Sequence, residues 1–575
     1  MTLIPHWLRQ YQRHDLTDDA LAGTITAILL IPQALAYAML AGLPPEVGLY
    51  ASVVPPIIYA LTGSSRTLAV GPVAVAAVMV AAALVNFAQG DPKRALAGAL
   101  WLGFLSGSFL LLFAILKLGW LSNFVSHPVL NGFSTGAAIT IIGTQLPTLL
   151  GVSIGNQGNF LDTITALLPA LNNTQQVTLI SGSAVILVLL FARHWLAAWL
   201  KAWGVSSSTA ALTTRITPLV VVAFSILLSM RFNGAAHMAV VGDIPAGLPT
   251  PSLAFLWVPG WQTLVSSALL IALISYVESL SVAKLLAIRR RQRIDANQEL
   301  MALGSTNIAS SMVGGMPVAG GFARSMVNFE AGAKTQLASI ITAGWVAIAA
   351  VLFTSSLAPL PKVVLAAIVI IAVTQLIDLR SLVTTWRYDK RDGLSQIATV
   401  IGVLVLGIEP GLLIGIGLAL MLYLQRTSDP HIAVIGLVPG TEHFRNVLRH
   451  QVQTWPSLLI IRVDENLYFA NTPQVEAHLL ARVADHPHAQ HLILVLSGVA
   501  AIDASGLELL ESLQHSLSEA GITLHLAEVK GPVMDRLQPT DFLKQLKPEH
   551  IYLSTHQAVK QLLATAAAQE NSHES

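Results

Sequence analysis

At 575 residues, 54% hydrophobic and only 11% charged, the chain departs from soluble globular proteins, in which about 25% of residues are charged. It has no cysteine, which excludes disulfides, thiolate metal sites and cysteine nucleophiles. The net charge of +1 says nothing of partners, nothing points to nucleic acid, and the composition is that of a protein with many membrane spans.

The first residues, MTLIPHWLRQYQRHDLTDD, are interrupted by charge before any apolar core. They lack the shape of a signal peptide and read as an amphipathic lead-in at the cytoplasmic surface. Long charge-free intervals follow, among them Asp19 to Glu46, Lys117 to Asp162, Asp243 to Glu278 and Lys334 to Lys362. A spanning helix needs about 20 mostly apolar residues, so the longer intervals hold one or two spans each, and the expected count is fourteen. Arg193, Lys201, the run Arg289–Arg290–Arg291 with Arg293, and Arg380, Arg387, Lys390 and Arg391 then fall on one side. The positive-inside rule makes that side cytoplasmic, together with both termini, as in a multi-pass protein of the cell (inner) membrane. Lys93 and Arg94 fall outside and are partly offset by Asp91.

Within the spans, Gln33 and Tyr37 are four residues apart, on one helix face, among small residues that permit close helix packing. The segment Arg66–Val75 contains Gly71 and Pro72 followed by Val73 and Ala74. The segment Gly314–Ser325 contains Pro317, Gly320 and Gly321 followed by Phe322, Ala323, Arg324 and Ser325. Each places glycine and proline at the entry to a short apolar helix, too broken to cross fully. Such breaks occur as kinks in packed helices. Two of them at matching places, one followed by an arginine, are what a transporter built from inverted repeats requires. Half-helix N-termini hold anions, and a charge at bilayer depth, costing about 2.5–3.5 kcal/mol or more, is tolerated where it lines a polar cavity. Glu278 is the other charge at depth. Three readings stay open for it: a functional acid that takes up a proton, a structural ion pair with Arg324, or a solvated group near the cytoplasmic interface.

Five stretches together, Pro32–Ala38, Gly42–Pro45 with Gly48–Tyr50, Gly71–Pro72, Glu278–Lys284 and Gly320–Ser325, resemble the sulfate permease (SulP) family of anion transporters over nearly the whole chain. The resemblance implies an α-helical polytopic membrane protein with spans in two inverted sets of seven, forming core and gate domains around two half-helices. It implies an anion pocket made by Gln33, Tyr37, Val73, Phe322, Ala323 and Arg324, with Glu278 across from them. Gly71, Pro72, Ala74, Gly321 and Ser325 complete the expected substrate-binding site. Ala323 departs from the serine common in the family and removes one hydroxyl donor. Arg324 argues against the sodium-coupled bicarbonate branch, which lacks it.

After Leu424 the pattern changes. Short β-rich runs at 431–438, 457–463, 491–496, 522–528 and 551–553 alternate with helical periodicity at 473–483, 505–519, 532–537 and 556–567, which predicts a small α/β domain. Val499–Leu510 closes a strand and opens a helix, with Asp503 and Ser505 suited to its N-terminus. That loop resembles the signature of STAS domains, which makes Ser505 a candidate regulatory phosphosite. The expected organisation is a transport domain over 1–425, a linker over 426–430, a cytoplasmic STAS domain over 431–567 and a flexible tail over 568–575.

The chain therefore reads as a secondary transporter of a small anion of the sulfate, bicarbonate or dicarboxylate class. Protons are the expected coupling ion, alternating access the expected mechanism and a homodimer the expected assembly, with a cytoplasmic regulator on the STAS domain. No cofactor, metal site or enzymatic activity is expected. The rival readings are an uncoupled anion exchanger or channel-like conductor, and an anion sensor that signals through the STAS domain.

Overall fold

The computed structural model describes residues 6–573 apart from 10, 156–158, 233 and 235–236. The first residues of the lead-in, Met1–Pro5 and Gln10, and the final Glu574 and Ser575 lie outside the described residues. The chain divides into two units, Met1–Ala419 and Leu420–Ser575.

The first unit is helical. Among the described residues seven helices are long and apolar enough to cross a membrane, and Ala74–Ala88, Ile216–Arg231 and Leu337–Leu352 are shorter apolar helices. Small residues set the packing. Pro92–Ile115 lies against Ala296–Met312 with Gly107 facing Gly304. A Cβ on Gly107 would come within 2.7 Å of the Gly304 carbonyl oxygen, and one on Gly304 within 2.9 Å of the Gly107 oxygen. Backbones this close exclude any side chain and maximise dispersion contact where no hydrophobic drive exists between helices.

Two breaks interrupt the helices. Val70–Gly71 precedes Ala74–Ala88, and Ala319–Gly320 precedes Phe322–Glu330. The two short extended segments pair antiparallel, Val70 with Gly320 and Gly71 with Ala319. Non-helical backbone in an apolar setting needs partners from the protein itself, and buried polar side chains supply them. Ser325 Oγ accepts from Ala69 N at 2.9 Å, and Ser279 Oγ accepts from Gly320 N at 2.7 Å. Asn328 donates to the Thr67 carbonyl at 3.1 Å, and Gln336 donates to those of Ser65 and Leu68 at 2.7 and 3.0 Å. Fully buried Asp19 accepts from the backbone of Lys334 and Thr335 and from the Thr335 hydroxyl.

Glu299 is the heaviest of these anchors. It is fully buried and accepts from Tyr59 Oη, Ser64 N, Ser64 Oγ and Ser65 N at 2.7–3.1 Å. Glu299→Ala strands all of these donors, each at a cost of about 1–3 kcal/mol. The expected result is a sharp fall in thermal midpoint and yield of the purified chain; an unchanged midpoint contradicts the anchoring role.

The second unit is a six-stranded sheet flanked by helices. Its strand order is Phe444–Asn446, Ile432–Leu437, Leu458–Val463, His491–Val495, Thr523–Ala527, Ile551–Tyr552; the first two junctions are antiparallel and the rest parallel. Thr472–Ala484 and Ala504–Glu519 bury Val475, Leu479, Leu510 and Leu513 in the core on one face. The last helix, Thr555–His573, packs Ala558, Val559 and Leu562 on the other. The edge strand Phe444–Asn446 and the helix Asp541–Leu546 are additions to the sequence reading; both are short and carry charge.

On the sheet, His491 Nδ1 lies 3.1 Å from His525 Nε2, and the His525 and His550 rings stack edge-on at 4.7 Å. Burial first, and then the charges that His550 and His491 would carry, push the His525 imidazole from 6.5 down to about 3. Its contribution to stability is therefore complete above pH 6.5 and is lost as the pH falls from there through about 3. Hydrogen exchange in Leu492–Val495 is expected to rise over that acid range and to rise less in His525→Leu. Identical acid profiles for the two chains would count against the coupling.

Candidate functional site

The two breaks place both half-helix N-termini at one cavity. Val73 and Gly321 occupy the N-cap positions, and neither half-helix is capped by a side chain. The first N–H groups of each helix thus remain available to a ligand. The cavity, about 60 Å³, is lined by Gln33 and Tyr37, by Val73, Ala74 and Val75, by Glu278, and by Gly321, Phe322, Ala323 and Arg324. Ala372, Val373, Gln375 and Leu376 complete the wall.

Arg324 is 2% exposed. Its Nη1 donates to the Pro72 carbonyl of the other broken segment, while Nε and Nη2 are buried with no hydrogen-bond partner among the described residues. Glycine makes room for the guanidinium. A Cβ at Gly321 would stand 3.0 Å from Nη2, and one at Gly71 would stand 3.4 Å from it. A buried cation with two unpartnered donors is costly unless an acceptor arrives, so the arrangement suits a small anion. Glu278 lines the same cavity without hydrogen-bonding to Arg324.

Of the residues expected from sequence, Gln33, Tyr37, Val73, Ala74, Glu278, Gly321, Phe322, Ala323 and Arg324 are brought together. Gly71, Pro72 and Ser325 stand behind the cavity: Gly71 pairs in the two-residue bridge, Pro72 holds Arg324 through its carbonyl, and Ser325 turns back to Ala69. Val75 and the wall from Ala372 to Leu376 were missed. Gln375, beside Thr374 in the charge-free interval from Lys362 to Asp378, was the available signal. A larger cavity of about 340 Å³ shares Gln33, Phe322, Ala323, Arg324, Ala372 and Gln375 with the inner one and adds, among others, Arg193, Thr214, Thr217 and Glu330. It forms a vestibule to the site.

In the second unit, Asp503 caps Ala504–Glu519 by accepting from Gly506 N at 2.9 Å, and half-buried Ser505 sits in the first turn.

Two broken helices meeting N-terminus to N-terminus around a buried guanidinium, in a bundle of apolar helices, are an arrangement suited to a transporter's anion site. The chain belongs to the sulfate permease family, matching it over residues 16–399, and carries a STAS domain matched over residues 449–558. It is accordingly a multi-pass membrane transporter and not an enzyme. It is 33% identical over 566 residues to a probable sulfate transporter 4.2 of Arabidopsis thaliana, covering 96% of this chain and 82% of the relative. It is 34% identical over 556 residues to a probable sulfate transporter of Mycobacterium tuberculosis, covering 96% of each. Among solved structures, that of SLC26A9 superposes with a TM-score of 0.89 at 23% identity, over 98% of this chain and 93% of that one. The transmembrane domain of the cyanobacterial bicarbonate transporter BicA gives 0.60 at 23% identity, over 70% of this chain and 98% of that one. At these identities the structures establish the fold alone.

Proposed function

We propose that the protein carries a small oxyanion, sulfate foremost, across the cell membrane by alternating access, with a proton as the coupling ion. The observation that carries this reading is Arg324, buried between two uncapped half-helix N-termini with Nε and Nη2 unpartnered. The names of the relatives, sulfate transporters in a plant and a bacterium, support sulfate over other oxyanions. Glu278, on the wall of the same cavity, balances Arg324 when the site is empty and takes up the coupling proton when the anion binds. Fourteen crossings, cytoplasmic termini, a homodimer and a regulatory STAS domain belong to the same proposal. Arg193 at the vestibule lies on the basic side of the chain, so the vestibule opens to the cytoplasm.

Counterflow in proteoliposomes, with labelled sulfate, bicarbonate and a dicarboxylate, each with and without a pH gradient, tests the reading. Sulfate is expected to exchange, and an inward proton gradient is expected to concentrate it. Binding of sulfate without flux overturns transport, and uptake indifferent to pH overturns the proton coupling.

A further inference from the structure

The anion cavity has two kinds of wall. One belongs to the half-helices and to the helices carrying Gln33 and Glu278. The other is the end of Lys362–Val373 and the 3-10 turn Thr374–Leu376 that follows it. That second wall is apolar, Ala372, Val373 and Leu376, except for one side chain, Gln375. Gln375 lines the inner cavity and the vestibule alike, and its carboxamide makes no hydrogen bond among the described residues. Gln33 lines both cavities too, and its carboxamide is likewise without a protein partner. The uncharged polar side chains available to an anion besides Arg324 and the helix N-termini are thus Gln33 and Tyr37 on one wall and Gln375 alone on the other.

The turn that carries Gln375 is fixed from two sides. Thr374 Oγ1 donates to the Ile371 carbonyl at 2.8 Å and accepts from Arg193 Nη1 at 3.2 Å. Thr135 accepts from Asp378 N at 3.3 Å on the far side of the turn. Arg193 sits in a π-helical turn, Ala192–Leu196, inside an otherwise α-helical stretch. An inserted residue of this kind rotates the side chains that follow, and such turns recur at functional sites. Here the distorted stretch carries a guanidinium that reaches the Thr374 hydroxyl at the start of the Gln375 turn.

We propose that Gln375 is a second-wall ligand that selects oxyanions over halides, and that Arg193 is its positioning residue; this rests on the oxyanion reading above. A tetrahedral oxyanion held by Arg324 has further oxygens to accept from Gln33 and Gln375 at once. A halide is a single acceptor centre, so donors on both walls would have to converge on one point, and donors spaced for separate oxygens meet it less well. A site built from hydrogen-bond donors discriminates strongly against ligands that leave those donors unmet. Gln375 also meets the anion from the wall that does not carry Arg324, so its contact forms or breaks as the two walls move relative to each other.

The test is equilibrium binding to the full-length chain in lipid nanodiscs, with labelled sulfate and with chloride as competitor. Gln375→Leu is expected to weaken sulfate about tenfold, the worth of one hydrogen bond to a charged group, and to leave chloride within about twofold. Arg193→Leu is expected to give a smaller loss with the same selectivity. Adding it to Gln375→Leu costs nothing further, because the two act through one contact, and Arg193→Lys restores part of the sulfate preference. Thermal midpoints of all variants check the fold, which a cavity-facing amide does not hold together. Unchanged sulfate affinity in Gln375→Leu, equal losses for sulfate and chloride, or additive losses with Arg193→Leu overturn the assignment. A wild-type chain that binds no oxyanion overturns the transport reading and this assignment with it; a wild type that binds sulfate while Gln375→Leu is indistinguishable from it overturns the assignment alone.

Discussion

Arg324→Ala is expected to reduce sulfate binding by more than about 100-fold while leaving the fold intact. Losing one partner of a buried charge pair costs about 3–5 kcal/mol, and the anion would keep only helix N-termini and amides. The same substitution removes a cation whose Nε and Nη2 have no partner among the described residues, so without anion the variant should melt no earlier than wild type. Function and stability then move in opposite directions, as expected where a site carries stored cost. Arg324→Lys keeps the charge but loses the planar fork that holds the Pro72 carbonyl and still presents two further donors. Its binding should recover only in part. Titration calorimetry beside thermal melts separates the effects, and wild-type affinity in Arg324→Ala would remove the basis of the anion site.

Glu278→Gln should separate exchange from accumulation. The carboxyl lines the cavity without a hydrogen bond to Arg324, so it is open to a proton arriving with the anion. If each ligand favours the other, the coupling is reciprocal. The amide imitates the protonated acid permanently. Anion binding and anion-for-anion exchange should then persist, while uptake driven by an inward proton gradient falls to the level without a gradient. The comparison is gradient-driven uptake beside equilibrium exchange in the same liposomes. Should Glu278→Gln still concentrate sulfate in response to pH, the coupling proton binds elsewhere.

Much of this was legible in the sequence because the decisive residues break rules. Arg324 stands out as a charge in an apolar context, and the paired Gly–Pro segments stand out as breaks in helices, so their meeting could be expected before it was seen. The strands of the second unit were legible for the opposite reason, a regular alternation of apolar runs and helical periods. What stayed hidden depends on helix phase and tertiary contact. Ser325 neighbours Arg324 in sequence, but one residue along a helix is about 100° around it, and its hydroxyl goes to Ala69. Gln375 is one amide in a long apolar interval, and only the turn at Thr374–Leu376 brings it to the cavity. Arg193 counted as a topology signal; that it orders a turn 181 residues away follows from packing alone.

Among the described residues, Val70 and Gly71 find their strand partners in Ala319 and Gly320, so the chain cannot finish its first half on its own. During synthesis the first broken segment must wait for about 250 more residues, roughly 12–50 s at 5–20 residues per second. Throughout that interval its unpaired amides and carbonyls would cost several kcal/mol each if lipid surrounded them. The nascent first half therefore has reason to stay beside the insertion machinery instead of diffusing away. A message that ends between the two halves yields a product with an unfinished, exposed backbone, which is what membrane quality control is built to destroy.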